Sequence, residues 1–368
     1  MGLCHGKELY EPPTKDEIQR NKEINIIIKK EKQQIKKESA NTNKILLLGP
    51  ADAGKSTIMK QFRYIYSDGI GEEERKTYKR PIIWNTIESM NNMIEAVNRY
   101  DYKYEQEKSV EYSQLISKDI YNVLNSDTDN PEIPTDFIKA IEFLWKKEPA
   151  IKKVFERKNE YNLIDSAEYF LNDVERILAK DYVPTQDDLL FCRNMTTKIL
   201  EIKIVITRMI YKIYDVGGHK NLRNQWADYF DDVTALIFVV SLSSYDQNMV
   251  ENPEMNQIND ALSLFQTIIQ LPQFTDTSLM LFLSKTDLFK KKIKVSPIEN
   301  YFPDYTGGTD YSKAITYFGS KFIALNKNKD KQIYTHLTWA TDTKSMKVVF
   351  AVVTETVRRG NLKSAGLF

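Results

Sequence analysis

Cysteine is nearly absent: Cys4 and Cys192 are the only two in 368 residues. Two are too few for a disulfide framework, and the expected setting is a reducing cytosol. Neither sign of charge is in excess, since 52 basic and 51 acidic residues leave a net charge of +1. That balance excludes a nucleic-acid binder held by bulk electrostatics. No window of about eighteen uncharged apolar residues occurs, so no segment is expected to span a membrane. The start, Met1-Gly2-Leu3-Cys4-His5, lacks the apolar core of a secretory signal. Residues 14–43 hold neither glycine nor proline. Their charged stretch KKEKQQIKKESA reads as a solvated helix, with a disordered tail as the alternative. There is no internal repeat and no low-complexity tract. What remains is ordinary: 42% hydrophobic residues over a length that suits two domains and a sizeable core.

Against that plain background stands KILLLGPADAGKST, residues 44–57. An apolar run leads into Gly49 and closes on Gly54-Lys55-Ser56, which fits G-x-x-x-x-G-K-[ST]. The pattern describes a buried strand, a tight loop whose N–H groups wrap phosphates, and a helix with its positive end toward them. Lys55 is expected to reach the β- and γ-phosphates, and Ser56 to ligate Mg²⁺.

Strand-like runs recur at 44–48, 201–206, 210–214, 235–241 and 279–284, with a helix-like stretch at 256–271. Strands alternating with helices predict an α/β fold, a mostly parallel sheet covered on both faces. The interval 69–183 breaks the pattern. Helical spacings such as Ile87, Met90, Ile94 and Val97 predict an all-helical insertion there. The expected organisation is an N-terminal helix over 1–43, a sheet domain over 44–68 and 184–368, and the helical domain over 69–183.

Three further signals fall near strand ends. Asp215-Val216-Gly217-Gly218 places a carboxylate for the Mg²⁺ sphere, and Gly218 lets a backbone N–H approach the γ-phosphate. A plain Gly-Gly turn is the alternative. Ser284-Lys285-Thr286-Asp287 follows the run Leu281 to Leu283 and brings a carboxylate to the sheet's ligand-binding edge. Asp287 can accept two hydrogen bonds from guanine and would be left unpaired by adenine. Its alternative role is to cap the next turn. In Thr338-Trp339-Ala340-Thr341 the small Ala340 lets its N–H approach a base oxygen.

In this order the motifs resemble the α subunits of heterotrimeric G proteins over essentially the whole chain. That family's G-A-G-E-S-G-K-S stands here as GPADAGKS, its D-V-G-G-Q-R as DVGGHK, its N-K-x-D as SKTD and its T-C-A-T as TWAT. The first switch aligns from Asp188 to Thr197. LIDSAEYFLNDVERI is similar to the family's helical-domain motif, and the ending NLKSAGLF to its receptor-contacting tail. The resemblance implies a Ras-like P-loop GTPase domain, six-stranded, with an inserted helical domain. It implies a GDP/GTP site made by Asp52, Ala53, Gly54, Lys55, Ser56 and Thr57, then Asp165 and Ser166. Leu190, Phe191, Cys192, Arg193, Asn194, Met195 and Thr196 follow, then Asp215, Val216, Gly217, Gly218 and His219. Ser284, Lys285, Thr286, Asp287 and Ala340 complete it. Ser56 and Thr196 would ligate Mg²⁺, with Asp215 behind them. Arg193 would be a built-in arginine finger, paired with Asp52 as a latch, and Arg223 would pair with Asp260 in the GTP state, with a weak surface ion pair as the alternative.

Several positions depart from the family pattern. His219 replaces the glutamine that orients water; its imidazole also offers one donor and one acceptor, on a rigid ring. Pointing to solvent without a role is its alternative. Ala51 replaces a glycine, so its Cβ would crowd the finger and the water, and the loop geometry itself is expected to favour glycine. Pro50 removes an N–H beside the phosphates. Ser284 replaces the asparagine that braces the P-loop, so weaker nucleotide binding is expected. Lys198 replaces the glycine that ends the first switch. Ala51 and His219 predict slow GTP hydrolysis and a GTP-persistent switch, and Ser284 predicts fast nucleotide exchange.

Gly2 and Cys4 are expected lipidation sites, myristate and palmitate, although Gly6 departs from M-G-x-x-x-[ST]. The basic stretch Lys29 to Lys37 offers a second membrane signal. Ala365 replaces the family's toxin-modified cysteine, so that ADP-ribosylation is excluded. Implied partners are a βγ dimer, a G protein-coupled receptor on the C-terminal tail, an unidentified effector and the inner face of the plasma membrane, and no nucleic acid. Trp226 is an expected hydrophobic contact for a partner, with packing on the next helix as the alternative. Two other readings stay open: a GTP-binding signalling scaffold with little turnover, and an ATP-using P-loop enzyme.

Overall fold

The computed structural model describes residues 20, 29, 41–124, 132–161, 163–196 and 198–364. The expectations for Gly2, Cys4, Thr197, most of the N-terminal helix and the tail from Ala365 fall outside the described residues.

Strand β1, Thr42–Leu48, is an Ile/Leu run buried along its C-terminal half. It feeds helix α1, Lys55–Tyr66. The chain then leaves the sheet for α2 (Glu72–Thr77), α3 (Lys79–Arg99), α4 (Glu107–Leu124), α5 (Thr135–Lys147), α6 (Pro149–Glu156), α7 (Ala167–Asn172), α8 (Val174–Ile177) and α9 (Gln186–Phe191). It returns through β2 (Leu200–Ile206) and β3 (Met209–Asp215), a 3₁₀ segment (Lys220–Tyr229) and β4 (Ala235–Ser241). Then come α10 (Gln257–Ile269), β5 (Ser278–Ser284), α11 (Thr286–Lys292), α12 (Tyr311–Ile323), β6 (Ile333–Leu337) and α13 (Thr343–Ser364).

The strands form one six-stranded sheet in the order β2-β3-β1-β4-β5-β6. Only β2 and β3 pair antiparallel; the other neighbours are parallel. Their hairpin turns on Thr207 and Arg208, both at positive φ, as a two-residue loop matching strand twist requires. All seven residues of β4 are buried, which explains an apolar run without alternation: both of its faces are covered. On one face, α1 and α13 pack through Phe62 and Phe350, whose rings stack at 3.6 Å. The other face meets α10, α12 and the 3₁₀ segment in a second aromatic-rich cluster. This is the α/β class expected. Strand β6 had no distinct signature, because its IYTHL is a half-covered edge segment.

The helical domain has its own core, spanning Ile70 to Cys192. Leu189 and Cys192 belong to it, so helical packing runs past residue 184, where the sheet domain was expected to resume. The anchor is Asp188, fully buried and bound bidentately by Arg176 at 2.7 and 2.8 Å. The tyrosine hydroxyls of Tyr169 and Tyr182 also donate to it, and with Thr185 it forms a capping box that starts α9. Burial would raise the Asp188 carboxyl, but the Arg176 guanidinium and these donors hold it down at about 2. Among the described residues no helix is long and apolar enough to cross a membrane.

Candidate functional site

Strand β1 ends beside β4, where the chain crosses from one side of the sheet to the other, the place where open α/β sheets bind ligands. Gly49 sits at φ 143°, and a Cβ there would lie 2.2 Å from the Val239 carbonyl oxygen. Only glycine fits. Gly54, at φ 99°, caps the start of α1. Between them Asp52 carries the left-handed strain at φ 56°, a conformation aspartate tolerates. Ala51 is not at positive φ. The expectation that the loop geometry favours glycine at 51 is therefore wrong, and the strained position is the next residue.

Lys55 is buried, and its Nζ donates to the carbonyls of Gly49 at 3.0 Å and Pro50 at 2.7 Å. Burial pulls its ammonium down to about 8, against the attraction of Asp215 and Asp52. Gly218 presses on the same loop: a Cβ there would lie 2.4 Å from Lys55 Nζ and 2.5 Å from the Pro50 carbonyl.

Three oxygen-bearing side chains meet beside Lys55. Ser56 Oγ donates to Asp215 Oδ2 at 2.5 Å and lies 2.7 Å from Thr196 Oγ1. Asp215 is fully buried, its carboxyl is pushed up by that burial, and Oδ1 has no hydrogen-bond partner. Two hydroxyls and an under-satisfied carboxylate are a hard oxygen set that fits Mg²⁺. Among the described residues no group of three His, Cys, Asp or Glu forms a metal cage. Mg²⁺ bound mainly by water and phosphate oxygens needs none.

Lys55, Ser56 and Thr196 line a cavity of about 650 Å³ between the two domains. Ala51 through Thr57, Leu190 through Thr196, Gly218, His219, Asp165, Ser166, Ser284, Lys285, Asp287 and Ala340 all line it. Four expected residues lie outside the wall. Asp215 stands behind Ser56, Val216 packs into the sheet's core, the Gly217 carbonyl accepts from Trp226, and Thr286 turns away to the Thr338 carbonyl.

Two ion pairs form among the residues that line the cavity. Arg193 holds Asp52 through two bonds of 3.0 and 2.6 Å, and Lys285 Nζ lies 2.6 Å from Asp165 Oδ2. In the second pair burial opposes charge on both partners, yet their attraction keeps Asp165 below and Lys285 above their usual ranges. Ser284 Oγ donates to the Ala53 carbonyl at 2.6 Å, so serine, where the family has asparagine, also braces the P-loop. Burial pushes the Asp287 carboxyl up, against the pull of backbone N–H groups at 287 and 288.

A family model described as G-protein alpha subunit matches residues 18–357. The chain belongs to that family. It is 38% identical over 353 residues to a guanine nucleotide-binding protein subunit alpha of Cochliobolus heterostrophus, covering 96% of this chain and 97% of the relative. The proteins of the same name from Cryphonectria parasitica and Pyricularia oryzae are also 38% identical, over 348 residues, covering 95% of this chain and 96% of each.

The family's motifs do not announce every group that shapes this cavity. Asn85 clasps the Arg193 backbone from α3, donating to its carbonyl at 3.0 Å and accepting from its N–H at 2.8 Å. Gln61 on α1 donates to the Ala340 carbonyl at 2.9 Å. Trp339, beside Ala340, is exposed at the cavity edge. The pair of Arg223 and Asp260 forms as expected, at 2.6 and 3.2 Å and mostly buried. Trp226 does not: it is 2% exposed with its indole N–H bonded to Gly217. In this conformation it packs internally and offers no contact to a partner. His219 does not point freely to solvent, since its Nδ1 lies 2.9 Å from Glu251 Oε1.

Proposed function

We propose that this chain is a guanine-nucleotide switch that binds GDP and GTP with Mg²⁺ and hydrolyses GTP slowly. The observation that supports it best is one cavity lined together by Lys55, Ser56, Thr196, Arg193 and Asp287. Lys55 and the P-loop amides bind the phosphates, and Asp287 accepts from the guanine edge. Mg²⁺, when bound at Ser56 and Thr196, neutralises charge on the phosphate oxygens. Arg193 leaves Asp52 to meet charge developing on the transferring phosphoryl group, and His219 orients the attacking water. Slow turnover rests on the Ala51 Cβ, which narrows the space for finger and water, and on histidine in place of glutamine.

Family membership supports a βγ dimer and a seven-helix receptor as partners, with the receptor at the C-terminal tail. Acylation at Gly2 and Cys4 would hold the protein at the cytoplasmic face of the plasma membrane. A second reading, a GTP-binding scaffold with little turnover, draws on Arg193 and His219 both being engaged by carboxylates.

The test is fluorescent-GTP binding with GTP or ATP as competitor, followed by single-turnover hydrolysis of wild type and the Ala51→Gly/His219→Gln double variant. GTP alone should compete, and the double variant should hydrolyse at least about tenfold faster. Competition by ATP defeats the guanine assignment. Full binding with no turnover in either protein selects the scaffold.

A further inference from the structure

The loop before α10 contains a carboxylate that no motif of the site uses. Glu251 Oε1 lies 2.9 Å from His219 Nδ1, and its Oε2 accepts from the Lys220 backbone N–H at 3.3 Å. One carboxylate thus grips both the imidazole and the peptide that follows it. The grip lies where the strand β3 loop enters its 3₁₀ segment, directly after Gly218. His219 and Val250, the neighbour of Glu251, both line the cavity.

A neutral imidazole carries one N–H and one lone pair, and the hydrogen bond made by one nitrogen decides the state of the other. A carboxylate accepts and cannot donate, so its partner Nδ1 must carry the hydrogen. Nε2 is then the lone-pair nitrogen. Glutamine in this place offers donor and acceptor on one amide and needs no tautomer chosen for it; histidine does.

We infer that Glu251 is a positioning residue for GTP hydrolysis, fixing His219 as the Nδ1–H tautomer so that Nε2 accepts a hydrogen bond from the attacking water. The inference rests on the GTPase reading above. In the step it serves, the water oxygen forms a bond to the γ-phosphorus and the bond from that phosphorus to the β–γ bridging oxygen breaks. The water proton passes to the released phosphate, and GDP keeps the bridging oxygen and its electron pair. Glu251 touches none of these atoms and acts only through the ring.

The chain has three histidines, His5, His219 and His336, so ¹⁵N-labelled imidazoles are readily assigned with a His219→Gln reference. Nitrogen shifts in the GDP-bound full chain should give His219 as Nδ1–H, and Glu251→Ala should move the population toward Nε2–H. Single-turnover hydrolysis should fall about tenfold in Glu251→Ala and less than about twofold when the same change is made in His219→Gln. Equal losses in both backgrounds would mean that Glu251 only holds the loop, and would overturn the inference. So would an Nε2–H tautomer in the wild type. If nucleotide binds but is never hydrolysed, the GTPase reading fails while the tautomer measurement still decides the pairing.

Discussion

The Ser284 hydroxyl, at the end of β5, donates to the Ala53 carbonyl in the P-loop across 231 positions of sequence, at 2.6 Å. It also lies 3.0 Å from the Val240 carbonyl; its single proton serves the nearer oxygen. The base-side loop is thereby tied to the phosphate loop, although the change from asparagine was expected to weaken nucleotide binding.

Ser284→Ala should therefore loosen nucleotide. The Ala53 carbonyl would lose its buried donor, at a cost of about 1–3 kcal/mol. Release of a fluorescent GDP should accelerate about tenfold or more. An unchanged release rate would show that the tie does not bear on the nucleotide.

Asp165 and Lys285, both lining the cavity, bridge the two domains. A ligand walled by both domains leaves only when they part, so this pair opposes release. Both side chains keep some solvent exposure, which limits the contribution to about 1 kcal/mol or less. Asp165→Asn should speed GDP release by about two- to fivefold. Raising salt should narrow the difference between variant and wild type, because salt screens the pair. A difference that ignores ionic strength would assign the effect to packing.

Much of this site was legible where local backbone geometry dictates residue type. Gly49 and Gly54 are forced by a close approach and by positive φ, and the unbroken apolar runs of β1, β4 and β5 follow from burial on both faces. The helical insertion was legible from its spacing. The contacts of Asn85, Gln61 and Glu251 were not. Each depends on two segments brought together by the whole fold, 108 positions apart for Asn85 and Arg193, and no local periodicity encodes such a meeting. Strand β6 escaped for a different reason: an edge strand whose residues are only half-buried or exposed carries little hydrophobic signal. Trp226 misled because a large apolar side chain near a switch reads alike whether it serves a partner or the core.

Arg193 is positioned at its backbone by Asn85 and at its guanidinium by Asp52. If it serves the transition state, Arg193→Ala should lower single-turnover hydrolysis about a thousandfold, the low end for arginine fingers. Asn85→Ala should produce a smaller loss of about tenfold, because it frees the backbone that aims the side chain. A loss seen only in nucleotide affinity would remove Arg193 from the chemical step.

The helical domain should carry an acid-sensitive link at Asp188. Burial raises its carboxyl, but Arg176, the Thr185 N–H and the two tyrosine hydroxyls outweigh burial and hold it at about 2. An unfolded aspartate titrates near 3.9. The folded value is the lower one, so this group stabilises the fold fully above the unfolded value. The contribution declines as pH falls through about 4 and is gone below about 2. It amounts to about 2 kcal/mol at neutral pH. Asp188→Asn should lower the denaturant midpoint at pH 7, since it also leaves Arg176 facing an uncharged amide. Its deficit against wild type should shrink progressively between about pH 5 and pH 2. Two residues on, Leu190 through Arg193 line the cavity, so the same substitution should also raise the GDP release rate at neutral pH. A stability deficit independent of pH would mean that the Asp188 network holds shape without using its charge.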